Sequence, residues 1–505
     1  MASSAQDLNS GVKNTALRNI LWNGIGRFGN ALLLFIFVPI LVSILGTESW
    51  GVIGFALSIT AISAIFDLGL GATLSREISR YSADSNRMRE RRDLVFTYEL
   101  PVLIAACLIS LAMYVLAEAI VSQWLDGNRI PGNILQQSLT LVAPLLGLQL
   151  LITLYNGAIL GLQEQVYVNL ARLSYSATLY GGAIALLYLR ESPNIVLFFE
   201  WQLICALAYC VILRIRLYRQ LRQAVRARWN IDYLRESWRF ALSVAGTGIL
   251  VVCLTQGDKI LLSKLLDLET FGSYMLAVTL TSLQTLLVQP VHTAIYPQLT
   301  AMLSQGNEEN AASTFLRWSR RVAIIATPLG ALLCVFPNSI ASIWLADSSL
   351  ATRIAPSISI LALGSLFNAL CTLPYTLQLA AGWANLGMYS NFIALLVMIP
   401  GLLLVTPILG MEGAALIWMA LNAGYLLIQI PIMFSRLLPQ CRADWYRDAF
   451  AYPVLISFIT LGTGLSISRL AHTGTVSTLL IALAATLAAV ALNALRTYRI
   501  EMSEN

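Results

Sequence analysis

About fourteen long apolar runs leave a chain of this kind few ways to fold. They lie at roughly 20–45, 49–70, 94–116, 138–160, 168–189, 195–217, 240–265, 271–296, 322–344, 355–380, 388–408, 412–435, 449–468 and 475–495. A helix needs ~20 mostly apolar residues to cross a bilayer, and each run supplies about that many. Inside the bilayer every backbone polar group must find its partner within the protein, which a helix achieves alone. Only 11% of the 505 residues are charged, against about 25% in soluble domains. The expected fold is an all-α polytopic membrane protein of about 14 transmembrane helices. The fifth run is the weakest candidate, because it holds Arg172 and several small polar residues. The polar residues 1–17, with Asp7 and Lys13, precede an apolar run too long for a cleavable signal, so that run is expected to stay as the first membrane helix.

Charge placement predicts the orientation. Lys and Arg accumulate on the cytoplasmic side of membrane proteins. With the N-terminus inside, 25 of the 32 Lys and Arg fall on inside segments and inner helix ends. Five fall outside (Arg129, Arg190, Lys264, Arg353 and Arg469), and Arg27 and Lys259 lie deeper within apolar runs. The expectation is a multi-pass protein of a bacterial inner membrane with both termini cytoplasmic. The Arg-rich stretches at 76–92 and 214–239 then face anionic headgroups, and the net charge of +6 needs no nucleic acid.

The chain also repeats itself at half-length. Residues 40–60, ILVSILGTESWGVIGFALSIT, are echoed within 256–282, QGDKILLSKLLDLETFGSYMLAVTLTS. Ile40, Leu41 and Ser43 match Ile260, Leu261 and Ser263 at an offset of 220. Glu48 and Gly51 match Glu269 and Gly272 at 221, as do Ala56 with Ala277 and Thr60 with Thr281. A second match joins Gly161, Tyr167 and Asn169 to Gly382, Tyr389 and Asn391 at 221 to 222. Six helices separate the copies, so they share one orientation, as parallel repeats do. The expected organisation is an N-terminal lobe (1–217), an Arg-rich cytoplasmic connector (218–239), a C-terminal lobe (240–437), and two extra helices with a tail (438–505).

No enzyme motif is present. There is no credible paired-carboxylate or Ser-His-Asp arrangement and no phosphate-binding G-x-x-x-x-G-K-[ST] loop. The seven cysteines form no Cys-x-x-Cys pair, and two histidines, His292 and His472, exclude a His-rich metal site. No cofactor is expected. Ionisable residues inside membrane runs are rare and mark function. Arg27 lies about 10 Å into the first helix at 1.5 Å per residue; it faces a wet cavity or snorkels to the headgroups. Asp258 and Lys259 lie in the seventh run. Adjacent residues point about 100° apart on a helix, so the two are expected not to face one spot. One would line a cavity while the other pairs with a neighbour; the alternative is an internal salt bridge. Arg172 reads as an interfacial anchor or a cavity cation. Asp67 reads as a helix cap or a partner of Arg76. His292, beside Pro290, reads as a packing residue or as a group titrating near neutrality.

These features meet in a resemblance. The stretches GRFGNALLLFIFVPILVSILGTESWGVIGFALSIT and FDLGLGATLSREISR resemble the start of polysaccharide-transporter flippases of the Wzx type, which handle O-antigen and exopolysaccharide units. QGDKILLSKLLDLETFGSYMLAVTL and LQLAAGWANLGMYSNF resemble the same group. It belongs to a superfamily that also contains multidrug antiporters and the lipid II flippase. The resemblance implies two six-helix lobes around a central cavity, and passage of an undecaprenyl-diphosphate-linked oligosaccharide from inner to outer leaflet. Arg27, Lys259 and Arg172 would then bind the diphosphate, and Asp258 or His292 would carry a coupling ion. Membrane lipids, a polysaccharide polymerase and chain-length proteins are the implied partners. An ion-coupled multidrug exporter and a membrane glycosyltransferase or polymerase are the competing readings.

Overall fold

The computed structural model describes residues 24, 26, 28–82, 88–127, 129–190, 193–221 and 227–504. Among them every regular element is helical. The order opens with α1 (Phe28–Leu45). There follow α2 (Thr47–Ser63), α3 (Leu70–Ser82), α4 (Met88–Gln123), α5 (Gly132–Gly161), α6 (Gln165–Leu189), α7 (Ile195–Gln220) and α8 (Asp232–Leu265). Next come α9 (Leu268–Thr281), α10 (Leu283–Ser304), α11 (Glu308–Val335), α12 (Pro337–Leu345), α13 (Ser348–Ala380) and α14 (Ala384–Gly424). The chain closes with α15 (Ile430–Arg436), α16 (Cys441–Asp444), α17 (Tyr452–Leu470) and α18 (Thr475–Glu504).

Among the described residues, eleven helical stretches are long and apolar enough to cross a membrane, or up to 12 if the bent pair α9–α10 is one span. This is fewer than fourteen for two physical reasons. α6, carrying Arg172, is not among the apolar spans. Ala384–Arg436 counts once although it has 53 residues, about 80 Å at 1.5 Å per residue and more than twice the ~30 Å hydrocarbon core. Gly410, at φ 58 and ψ −138, breaks that stretch near its middle. Large apolar side chains project outward all along these helices, among them Leu108, Ile408 and Leu470. Such a surface is unfavourable in water and suits contact with lipid.

The helices gather into two compact units, Met1–Glu269 and Thr270–Asn505. This border lies one helix beyond the connector inferred from the repeat, since α8 packs on α2 and α3. In the first unit α5 is central and touches α3, α4 and α7. Its core includes Leu74, Tyr98, Leu150, Leu154, Ile159 and Leu213. In the second unit α13 holds the same position against α10, α11 and α14, around Ile295, Phe315, Leu366, Leu377 and Phe434. The last pair, α17 and α18, packs on α11. There Asn493 donates to Ser457 Oγ at 3.1 Å, and Ser457 Oγ meets Thr327 Oγ1 at 3.0 Å. Asp448, 3% exposed, gathers the guanidinium groups of Arg496 (3.0 Å), Arg447 (2.8 Å) and Arg320 (3.8 Å).

Both copies of the repeated hairpin bend. α2 starts at Thr47 and α9 at Leu268, 221 residues later. α2 enters α3 through a 3-10 turn, Ala64–Asp67, followed by Leu68 and Gly69 at positive φ. α9 enters α10 with a bend of 41°. The Asp67 carboxylate accepts the Gly71 N–H at 3.1 and 3.2 Å, which caps α3. A Cβ on Gly69 would lie 2.7 Å from the Ala241 carbonyl oxygen, so only glycine permits both the φ and the approach of α8.

Candidate functional site: two polar cavities

Each unit contains its own polar cavity. In the first, α1, α3, α5, α6 and α7 enclose about 790 Å³. The enclosure depends on close backbone contact between α3 and α5. A Cβ on Gly157 would lie 2.4 Å from the Gly71 carbonyl oxygen, and both glycines line the space. Polar residues reach it at helical spacing. Gln149, Thr153 and Asn156 share one face of α5, and Arg172, Tyr175 and Ser176 share one face of α6.

Arg172 is the one charged residue among those lining this cavity. It is exposed to the space and lies beside the Tyr209 hydroxyl. That hydroxyl donates to Asn156 Oδ1 at 3.4 Å, and the Tyr209 ring stacks on Tyr175 at 4.8 Å between centroids. No carboxylate among the described residues pairs with Arg172. Asn30 Oδ1 is buried and has no hydrogen-bond partner among the described residues. A guanidinium keeps its charge in proteins and presents five donors in a planar fork that matches phosphate oxygens. The arrangement therefore suits an anion carrying several hydrogen-bonding oxygens.

The second cavity, about 260 Å³, lies among α10, α13, α14 and α15 with the π-helical turn Tyr425–Gln429. Its lining carries no Asp, Glu, Lys or Arg. His292 lines it, with Nδ1 2.6 Å from Thr376 Oγ1. Gln429 donates to Gln378 Oε1 at 3.1 Å, and the Tyr425 hydroxyl donates to Asn391 Oδ1 at 3.0 Å.

The sequence-derived candidates are thus dispersed. Arg172 and His292 line different cavities. Asp67 caps α3 and is not among the residues lining either one. Its other expected partner, Arg76, sits over the Phe240 ring and 3.9 Å from Glu77. Arg27 lies outside the described residues. For Asp258 and Lys259, expected not to face one spot unless they form an internal salt bridge, the structure has the salt bridge. Lys259 Nζ lies 3.1 Å from Asp258 Oδ1 and donates to the Thr255 carbonyl at 2.7 Å. The Cα directions diverge, but the four-carbon stem of lysine curls back across the gap.

Sequence reasoning missed the uncharged members: Asn30, Asn156 and Tyr209 in one cavity, Gln289, Gln378 and Gln429 in the other. A signal was present. Gln149 and Thr153, Gln289 and His292, Tyr375 and Gln378, and Tyr425 and Gln429 are pairs three or four residues apart inside apolar runs, each on one helix face.

Comparison with known proteins gives the following. The family described as polysaccharide biosynthesis protein matches residues 16–303, more than half of the chain. The MatE family matches residues 244–404. No curated protein matches. Among solved structures, the chain resembles the lipid II flippase MurJ in an inward closed conformation, with a TM-score of 0.70 and 12% identity over 97% of this chain and 99% of that one. It also resembles an inward-facing multidrug resistance MATE family transporter of the MOP superfamily, with a TM-score of 0.66 and 12% identity over 83% and 98%. A MOP superfamily transporter from Pyrococcus furiosus, described as having a binding pocket of reversed polarity, matches with a TM-score of 0.58 and 14% identity over 84% and 96%. At these identities the likeness is one of fold, and the fold is that of the MOP superfamily transporters.

Proposed function

The chain belongs to the polysaccharide biosynthesis protein family, and from that premise we propose that it is a flippase for undecaprenyl-diphosphate-linked oligosaccharide units. It works by alternating access in a bacterial inner membrane, with both termini cytoplasmic and the lipid tail left in the bilayer. The observation that carries this reading is Arg172, a lone cation in a cavity of about 790 Å³ whose lining holds no carboxylate. A diphosphate headgroup needs such a charge, and removal from bulk water strengthens the attraction. Arg27, seated in the first membrane run, is proposed as a second cation for the same headgroup. The two halves, 1–217 and 240–437, are proposed as lobes joined by the connector 218–239.

An exporter of cationic drugs would need a free carboxylate and no cavity cation. Asp258, a carboxylate within the seventh apolar run, is paired with Lys259 at 3.1 Å. Ion coupling through His292 or Asp258 remains part of the proposal, as do a polymerase and chain-length proteins as partners. No bond-making step is assigned to the chain.

The test uses purified protein in proteoliposomes loaded with undecaprenyl-diphosphate-linked oligosaccharide. Movement between leaflets is read by lectin access to the sugar. The wild type moves the lipid. Arg172→Ala should insert normally, elute as a monodisperse species, and lose translocation. Wild-type rates in Arg172→Ala would overturn the assignment.

A further inference from the structure

The cavity of the second unit has a chemistry that the anion site lacks, and the geometry points to a binding site for an uncharged sugar ring there. This inference rests on the flippase reading, because it assigns part of the same substrate. Four observations carry it.

The first is electrostatic. No Asp, Glu, Lys or Arg lines the space, so a charged ligand would lose its hydration without a permanent countercharge. The duplication makes this informative. At the offset of 222 that joins Asn169 to Asn391, Arg172 corresponds to Ala394, which is 6% exposed. The cation exists in one copy only.

The second is the polar lining. Gln289, Asn368, Gln378, Asn391 and Gln429 bring five amides to one small space. Each side-chain amide offers two donor hydrogens and an acceptor oxygen. Sugar hydroxyls both donate and accept, so amides suit them better than charges do. One of these groups is unsatisfied. Gln378 is 1% exposed; its Oε1 accepts from Gln429, while its Nε2 is buried with no partner among the described residues. A buried donor left unmatched is costly, and a ligand oxygen at that point removes the cost.

The third is shape. Tyr375 is 39% exposed and lines the cavity. Its ring offers an apolar face, with a hydroxyl at the far end. Gly387 keeps this face and the free donor in position: a Cβ there would sit 2.9 Å from the Tyr375 ring and 3.1 Å from Gln378 Nε2. A pyranose has the matching pattern, with C–H groups on its faces and hydroxyls around its edge.

The fourth is size. At about 260 Å³ the cavity falls below the range of about 300–1,000 Å³ that encloses drug-sized ligands. It has room for one sugar ring, which fits a single residue of a longer glycan.

The full-length protein in nanodiscs tests this by saturation-transfer difference NMR, with methyl β-glucopyranoside as the neutral probe and glucuronate as the charged one. The wild type should transfer saturation to the neutral probe. The apparent affinity should fall about tenfold in Gln378→Leu and in Asn391→Ala, with correspondingly weaker transfer. Asn391 is only half-buried, so its variant keeps the test open should Gln378→Leu fold poorly. Absent transfer in the wild type, unchanged transfer in Asn391→Ala, or equal transfer to glucuronate would each overturn the proposal. The two readings fail separately: this experiment concerns only the second cavity, whereas lectin access in Arg172→Ala concerns the anion site.

Discussion

Lys259 carries its charge on a flexible four-carbon stem, and that stem decides its role. Its side chain is 16% exposed and its partner Asp258 9%, so the pair is nearly dry. Breaking a buried ion pair by removing one partner costs about 3–5 kcal/mol, because the other charge is left uncompensated. Replacing both partners with neutral groups is often close to free. Lys259→Ala should therefore lower the melting temperature in detergent and reduce export. The double variant Asp258→Asn with Lys259→Gln should recover the melting temperature, and export as well where His292 rather than Asp258 carries the coupling ion. A double variant that melts like the wild type yet exports nothing would mean that one of the two charges acts in transport, Lys259 on substrate or Asp258 on the coupling ion. The contrast with Arg172 shows what was legible at this scale. Both residues stand out as cations in apolar runs, and that much the sequence displays. Whether such a cation is neutralised depends on the reach of one side chain and on neighbours from other helices. Arg172 has Tyr209 and Tyr175 around it, Lys259 has Asp258, and helical spacing alone does not separate these outcomes.

At the scale of elements, α3 lines the first cavity through Gly71, Ala72 and Ser75, and the bend that joins it to α2 is set by a few residues. Asp67 caps α3 through the Gly71 N–H, and Gly69 supplies φ 71 where the Ala241 carbonyl oxygen comes close. The apolar run at 49–70 reads as one straight helix, because neither a cap nor a left-handed residue alters hydrophobic periodicity. Gly69 beside Asp67 was the available sign of a break. The left-handed conformation costs a non-glycine residue roughly 1–2 kcal/mol, before any clash with the backbone of α8. Gly69→Val should thus lower thermal stability by at least that amount, measured by intrinsic fluorescence in detergent. Gly246→Val, at a site with nothing within 4 Å of the added Cβ, serves as the control and should melt nearly as the wild type does. Equal melting of the two variants would show that the turn tolerates a side chain. The repeat was more legible than the bend. It paired Glu48 with Glu269, and both acids hold the loop between α4 and α5. Glu48 accepts the Arg129 N–H at 3.0 Å, while Glu269 meets the Arg129 guanidinium at 3.1 Å. The same loop is held by Leu268, which donates to the Asp126 carbonyl at 2.9 Å, and by Ser263, which accepts from Trp124 at 3.1 Å.

At the scale of the whole molecule, duplication provides two cavities of related build, and divergence gives them different chemistry. Position 71 is glycine in the first copy, and its counterpart 221 residues on is His292. Arg172 in the first copy corresponds to Ala394 in the second. One cavity therefore holds a permanent cation, and the other holds amides and a single imidazole. Fold class and repeat could be read from the sequence because both follow from pattern. The uncharged members of each cavity could not, since an isolated Gln or Asn in an apolar run looks the same whether it faces a cavity or a neighbouring helix. The division of chemistry makes a specific demand on Arg172. If it serves only as a positive charge, lysine should replace it. If it grips two phosphate oxygens through its planar fork, lysine keeps the charge but loses one of the paired contacts. A hydrogen bond to a charged group is worth about 1.5–3 kcal/mol, and 1.4 kcal/mol is a tenfold change. Translocation in proteoliposomes should then fall at least roughly tenfold in Arg172→Lys and to background in Arg172→Ala. A lysine variant as fast as the wild type would reduce the site to a point charge. One as inactive as the alanine variant, with unchanged melting, would make the fork the whole of the recognition.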